Sequence, residues 1–155
     1  MEQIIYHMLL RGENMQSALK LNRLVFDKIE FKRLGFQNEN ELVLEIESNI
    51  SQRQDAEVYR ITLILKGDKP DEYSFEISVT GFFTIEDSQD ITEKLKKDLV
   101  SKNAIAILMP YLRSEVSLLT AQPEMECVVL PPLNINKMLE ESRRKGSKRK
   151  GKNFE

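Results

Sequence analysis

Few side chains in this sequence are of a type that performs chemistry. There is one histidine, His7, and one cysteine, Cys127. Together they fall short of the four ligands of a structural zinc site. A single cysteine also excludes an internal disulfide framework and fits a reducing cytosol. Cys127 stands among Met125, Val128 and Val129, a setting that predicts a small buried hydrophobe rather than a nucleophile. Glu45 and Glu47 lie two apart, on one face of a strand. A catalytic acid needs burial to raise its pKa, and nothing in their pattern supplies it. The six glycines are scattered, so there is no phosphate-cradling loop. These residues predict no enzyme, no cofactor and no metal. They predict a domain that binds something.

Charge divides the chain. Residues 142–155 hold seven basic side chains and one acid, a net +6, whereas the preceding 141 residues net −8. The tail has almost nothing apolar to bury and reads as a disordered basic extension. A basic run is the footprint of nucleic-acid binding, and this is the rival reading. However, no aromatic is interleaved in residues 143–152 to stack a base, and the body is acidic. No apolar run approaches the ~20 residues that span a bilayer. The N-terminus lacks the basic start and small-residue cleavage site of a secretory signal. The expected organisation is an uncertain segment over 1–20, one domain over 21–141 and the tail over 142–155.

Any binding surface must be positioned by the elements between. From Leu24 to Ile85 the apolar period is two. Ile29 and Phe31 alternate with charges, and Phe26 falls on the other parity, which predicts a bulge near Asp27. Leu42, Leu44, Ile46 and Ile50 form a second run, Tyr59 to Leu65 a third, and Tyr73 to Ile85 a fourth. Turn-forming residues separate them. The expected sheet is a four-stranded antiparallel meander, apolar on one face and polar on the other. Beyond residue 87 the period turns helical. Ile91, Leu95 and Leu99 are followed by Ile105, Leu108, Leu112, Val116 and Leu119. Pro110 predicts a kink or restart, and a shorter helix is expected over 136–144. Strands first and helices second is an α+β arrangement, with the helices on the apolar sheet face.

The run Leu108-Met109-Pro110-Tyr111-Leu112-Arg113, with the helix following it to Thr120, resembles the Leu-Phe-Pro-Tyr-x-Arg motif of the SecB export-chaperone family. Val129-Leu130-Pro131-Pro132-Leu133-Asn134-Ile135 is similar to that family's Leu-x-Pro-x-Asn-Phe loop. Gly81-Phe82-Phe83-Thr84-Ile85 resembles its Gly-x-Phe-x-Ile strand end. The resemblance covers roughly residues 20–140 and implies a SecB-like fold. It further implies a cytosolic, ATP-independent holdase that keeps non-native polypeptides in long apolar grooves, for protein export or for antitoxin protection in a toxin–antitoxin system. The implied assembly is a homotetramer built as a dimer of dimers.

The client-binding candidates are Leu42, Leu44 and Ile46 near the second strand, and Leu133, Ile135, Met138 and Leu139 around the last helix. A holdase recognises apolar area rather than one sequence, and methionine suits adaptable contact. Tyr111 and Arg113 read as structural, holding the helix to its neighbours. In the family the exposed sheet face that meets SecA is acidic. Here the expected docking face carries Lys28, Glu30 and Lys32 on the first strand and Glu76 and Ser78 on the fourth. Lysines at acidic positions predict little affinity for a SecA motor. Pro123 stands where the family has glycine, so the turn there is expected to take another backbone conformation.

Overall fold

The computed structural model describes residues 19–53, 58–85 and 93–132, together with Lys137, Glu141 and Arg144. Alternating β-branched and aromatic residues build four strands: β1 over Leu19–Arg33, β2 over Val43–Gln52, β3 over Val58–Lys69 and β4 over Tyr73–Ile85. A 28-residue helix, α1, follows over Glu93–Thr120. All strand pairs are antiparallel. This is the expected α+β class. Lys137, Glu141 and Arg144 are helical and exposed, at the place expected for the shorter helix.

The connection of β1 is not that of a meander. The sheet order is β1-β4-β3-β2. Strands β2, β3 and β4 follow one another as hairpins, but β1 lies beside β4, and residues 34–42 cross the end of the sheet to reach β2. That is a Greek-key connection. Apolar alternation fixes which face a residue occupies, not which neighbour a strand takes, so a meander and a Greek key share one pattern. β1 also starts at Leu19, earlier than its alternation suggests, because Leu19 and Lys20 pair with Ile85 and Thr84 at the far end of β4.

The bulge expected near Asp27 is present as a register shift between Phe26 and Lys28, and a second shift lies between Leu21 and Arg23. Each bulge flips the parity once. Together they keep Leu19, Leu21, Leu24, Phe26, Ile29 and Phe31 on one face, opposite Ile85, Phe83, Gly81, Val79, Ile77 and Phe75.

α1 lies on that face, chiefly over β4 and β3. Its stripe of Val100, Ala104, Ile105, Leu108, Leu112 and Val116 is buried against Ile61, Leu63, Ile77 and Val79. Close approach requires Gly81. A Cβ there would stand 2.6 Å from a Phe83 ring carbon and 2.9 Å from a Leu108 methyl. α1 runs unbroken through Pro110. The proline is exposed while Met109 and Leu112 stay buried beside it, so tertiary packing outweighs the missing hydrogen bond that predicted a restart.

Candidate functional site

Because α1 covers the two central strands, apolar side chains remain at both margins of the face it occupies. On the β2 margin, Leu42, Ile46 and Ile50 pack partly against the core, and Leu44 is 40% exposed. On the β1 margin, Ile29 is 48% exposed, and the Phe31 ring stacks on Tyr73 at 5.6 Å. Three of the client-binding candidates, Leu42, Leu44 and Ile46, therefore share one strip beside the helix. Leu133, Ile135, Met138 and Leu139 lie outside the described residues.

The crossing segment 34–42 contributes apolar surface that alternation could not reveal, since it belongs to no strand. Leu34 is 50% exposed and Phe36 83%. Phe36 sits in a turn-like run, Gly-Phe-Gln-Asn-Glu-Asn, and the signal available in the sequence was only the oddity of an aromatic there. The loop is held on the β3–β4 turn. The amides of Leu34 and Gly35 donate to the Glu72 carbonyl at 2.8 and 3.1 Å. Asn38 and Asn40 side-chain amides both donate to the Pro70 carbonyl, at 2.9 and 2.8 Å. The Glu72 carboxylate, 1% exposed, accepts from the Asn38 amide at 2.8 Å and pairs with Lys69 at 2.8 Å. Burial pushes the Glu72 carboxyl up, yet the Lys69 and Asn38 hydrogen bonds and the charges of Lys69 and Arg33 outweigh it and hold it below its ordinary value. The reciprocal bond from Glu72 raises Lys69 despite its burial.

Beyond α1 the chain turns back along the helix, held by side chains one and two turns apart. Arg113 Nε donates to the Leu130 carbonyl at 3.1 Å, and Ser117 Oγ to that of Val128 at 3.0 Å. Thr120 Oγ1 accepts from the Val128 amide at 2.8 Å. Arg113 thus ties helix to loop. Cys127 is exposed rather than buried. The segment adheres through backbone hydrogen bonds and sends only Leu130 fully inward, leaving Cys127 and Val129 on the solvent side. In the turn that follows α1 it is Glu124, the residue after Pro123, that takes a positive φ, 57°. A shallow groove of about 650 Å³ runs between α1 and this segment, lined in part by Pro110, Ser114, Leu118 and Val129.

The opposite sheet face carries the expected docking residues in register: Lys28 faces Ser78, and Glu30 faces Glu76. Their charges pair among themselves. Lys28 Nζ lies 3.0 Å from Glu76 and 3.4 Å from Glu30, and the Glu76 bond raises the lysine's pKa. Lys32 is exposed farther along β1. Ser78 is buried and donates to Asp27 at 3.4 Å. Asp27 also accepts from Thr80, whose hydroxyl lies 2.7 Å from that of Thr62. Among the described residues there is no cluster of three metal-type side chains, and no helix is long and apolar enough to cross a membrane.

No protein-family model matches the chain. It is 26% identical over 131 residues to the uncharacterized protein MJ0357 of Methanocaldococcus jannaschii, a match spanning 79% of this chain and 83% of that one. Among solved structures it is similar to the SecB-like chaperone Rv1957 of Mycobacterium tuberculosis, in complex with a ChAD peptide from the Rv1956 HigA1 antitoxin. The TM-score is 0.61 at 15% identity, over 75% of this chain and 88% of that one. A protein of unknown function from Streptococcus agalactiae matches at a TM-score of 0.45 and 12% identity, over 75% of this chain and 98% of that one. The fold, a four-stranded antiparallel sheet with a C-terminal helix packed on it, is SecB-like.

Proposed function

We propose that this protein is a polypeptide-binding chaperone, an ATP-independent holdase that keeps non-native chains in solution by covering their apolar segments. One observation carries the reading: in a SecB-like fold, α1 leaves the apolar strip of Leu42, Leu44 and Ile46 at the β2 margin, with Leu44 40% exposed. Burying such area against an extended client is favourable at about 25 cal/mol per Å² and does not depend on one sequence. The solved neighbour's complex with an antitoxin peptide supports a polypeptide partner. Leu133, Ile135, Met138 and Leu139 complete the proposed client surface, and the proposed assembly is a homotetramer in the cytoplasm.

The test is aggregation of a chemically denatured client diluted into nucleotide-free buffer, with and without the purified chain. Suppression at near-stoichiometric ratios is expected, and no suppression at tenfold excess rejects the reading. Light scattering should give a particle near four times 18.0 kDa; a monomer at micromolar concentration rejects the tetramer. Deletion of residues 142–155 should leave suppression intact, whereas loss of salt-dependent RNA binding on the same deletion would favour the rival nucleic-acid reading.

The charged sheet face supports a narrower proposal. Lys28 occupies both Glu30 and Glu76, so this face presents mutually neutralised charge rather than an acidic field, and little affinity for a SecA motor is expected. Sub-micromolar binding at low salt that disappears at high salt rejects it.

A further inference from the structure

The β3–β4 turn needs no buried ions to close. Glu72 N already donates to the Lys69 carbonyl at 3.1 Å, and the ladder pairs Lys69 with Tyr73. Lys69 and Glu72 nevertheless bury an ion pair there, with side chains 11% and 1% exposed. Both charges reach across to the same residue of the crossing loop, Asn38. Glu72 Oε1 accepts the Asn38 N–H at 2.8 Å, and Lys69 Nζ donates to the Asn38 carbonyl at 2.9 Å. Asn38 is thus clamped through its backbone donor and its backbone acceptor at once. A buried ion pair is weak evidence for stability, since desolvation offsets most of its attraction, and its best use is to fix one arrangement among several.

We propose that the Lys69–Glu72 pair is a latch that fixes the crossing loop on the β3–β4 turn, and that it thereby positions Leu34, Phe36 and Leu42 for contact with client polypeptide. The loop carries these three apolar side chains at up to 83% exposure, for Phe36. Segment 34–42 belongs to no strand or helix, so this clamp and the neighbouring turn contacts set its place. Lys69 and Glu72 are positioning residues, and this role rests on the chaperone reading above.

The experiment compares the full chain with Glu72→Gln and with the double variant Lys69→Met, Glu72→Leu. The glutamine keeps the acceptor for Asn38 but removes the charge. The double variant removes both ions and leaves no uncompensated buried charge. Amide hydrogen exchange is read at Leu34 and Gly35, whose acceptor, the Glu72 carbonyl, survives in every variant, and at Asn38. Affinity is read with reduced, carboxymethylated lactalbumin, a chain that cannot refold.

In the double variant the urea midpoint should hold, and exchange at the three loop amides should rise roughly ten- to a hundredfold. Exchange at Leu63 and Val79 should stay unchanged, and affinity for the probe should fall about three- to tenfold as the loop's apolar contacts lose their fixed geometry. Unchanged loop exchange overturns the latch. Parallel acceleration of all amides with a lower midpoint makes the pair merely structural and also overturns it. A loosened loop with full affinity overturns the positioning role. Failure of the unaltered chain to bind the probe rejects the chaperone reading and the positioning role with it, while the exchange data still decide the latch.

Discussion

Two exposed members of the proposed client surface, Phe36 in the crossing loop and Leu44 in the β2 strip, can be removed with little damage to the core. In the double variant Phe36→Ser, Leu44→Ser, the lost side chains are ones the fold leaves 83% and 40% exposed. Fully burying a leucine or phenylalanine is worth about 1.5–3 kcal/mol, so covering the exposed shares yields roughly 1.2–2.5 kcal/mol at Phe36 and 0.6–1.2 kcal/mol at Leu44. The pair then contributes up to about 2–4 kcal/mol, or roughly 20- to 500-fold in Kd. The cost to the fold is smaller. Phe36→Ser should stay within about 0.5 kcal/mol, and Leu44→Ser should cost about 1–2 kcal/mol for its buried share. Fluorescence anisotropy with a labelled unfolded polypeptide gives the first quantity and urea denaturation the second. Val43→Ser is the matched control, because Val43 is 62% exposed on the opposite face of the same strand. Binding that survives the double variant while the chain stays folded refutes the crossing loop and the β2 strip as the client surface. Equal loss in the control shows that any exposed aliphatic group suffices.

Three further outcomes follow from particular contacts. Glu72 has a carboxyl held below its ordinary value of 4.5, so its contribution is complete above that value and is lost as pH falls through the lower folded pKa. Protection at Leu34, Gly35 and Asn38, taken relative to the intrinsic exchange rate at each pH, should fall on acidification below about pH 4.5 before that of the central strands, and Glu72→Gln should flatten that dependence. Gly81→Ala should cost about 1–3 kcal/mol in urea denaturation, since its Cβ would push against Phe83 and Leu108 at 2.6 and 2.9 Å. Glu124→Gly should raise stability by about 0.5–1 kcal/mol, because Glu124 holds φ at 57° and glycine takes that conformation without strain.

Period and punctuation in the sequence are enough to locate the strands, the helix and the core. Tyr59, Ile61, Leu63 and Leu65 alternate in sequence and are all buried, and the stripe from Ile105 to Val116 is the face that α1 buries. The bulge at Asp27 is legible because a parity change has few other causes. Pairing order is not legible, because Leu44 points to the same face whether β2 lies beside β1 or at an edge. Burial near residue 127 misleads for a related reason: Val128 and Leu130 pack inward while Cys127 and Val129 stay exposed, in a segment whose backbone is anchored to α1 by the Ser117 and Thr120 hydroxyls. Phe36 and the Lys69–Glu72 clamp are long-range facts. No local pattern places residue 38 against residue 72.

The crossing connection is also what leaves room for the proposed binding strip. In a meander, β1 would lie beyond β2, and Leu44 and Ile46 would sit in an interior strand with neighbours on both sides. With β1 carried over to β4, β2 becomes an edge, and α1, seated over β3 and β4, leaves its inward side chains only half covered. An edge with apolar inward residues risks pairing with other sheets. β2 counters that with charge and polarity on its other face, where Glu45, Glu47 and Asn49 alternate with the apolar set, and Glu47 lies 3.9 Å from Lys66. One strand thus separates two demands by parity: Leu44 and Ile46 face the side proposed to cover a client, and the acids keep the opposite face solvated. The loop that makes β2 an edge is the loop that Lys69 and Glu72 clamp, so topology, edge protection and the proposed binding surface meet at the nine residues between Arg33 and Val43.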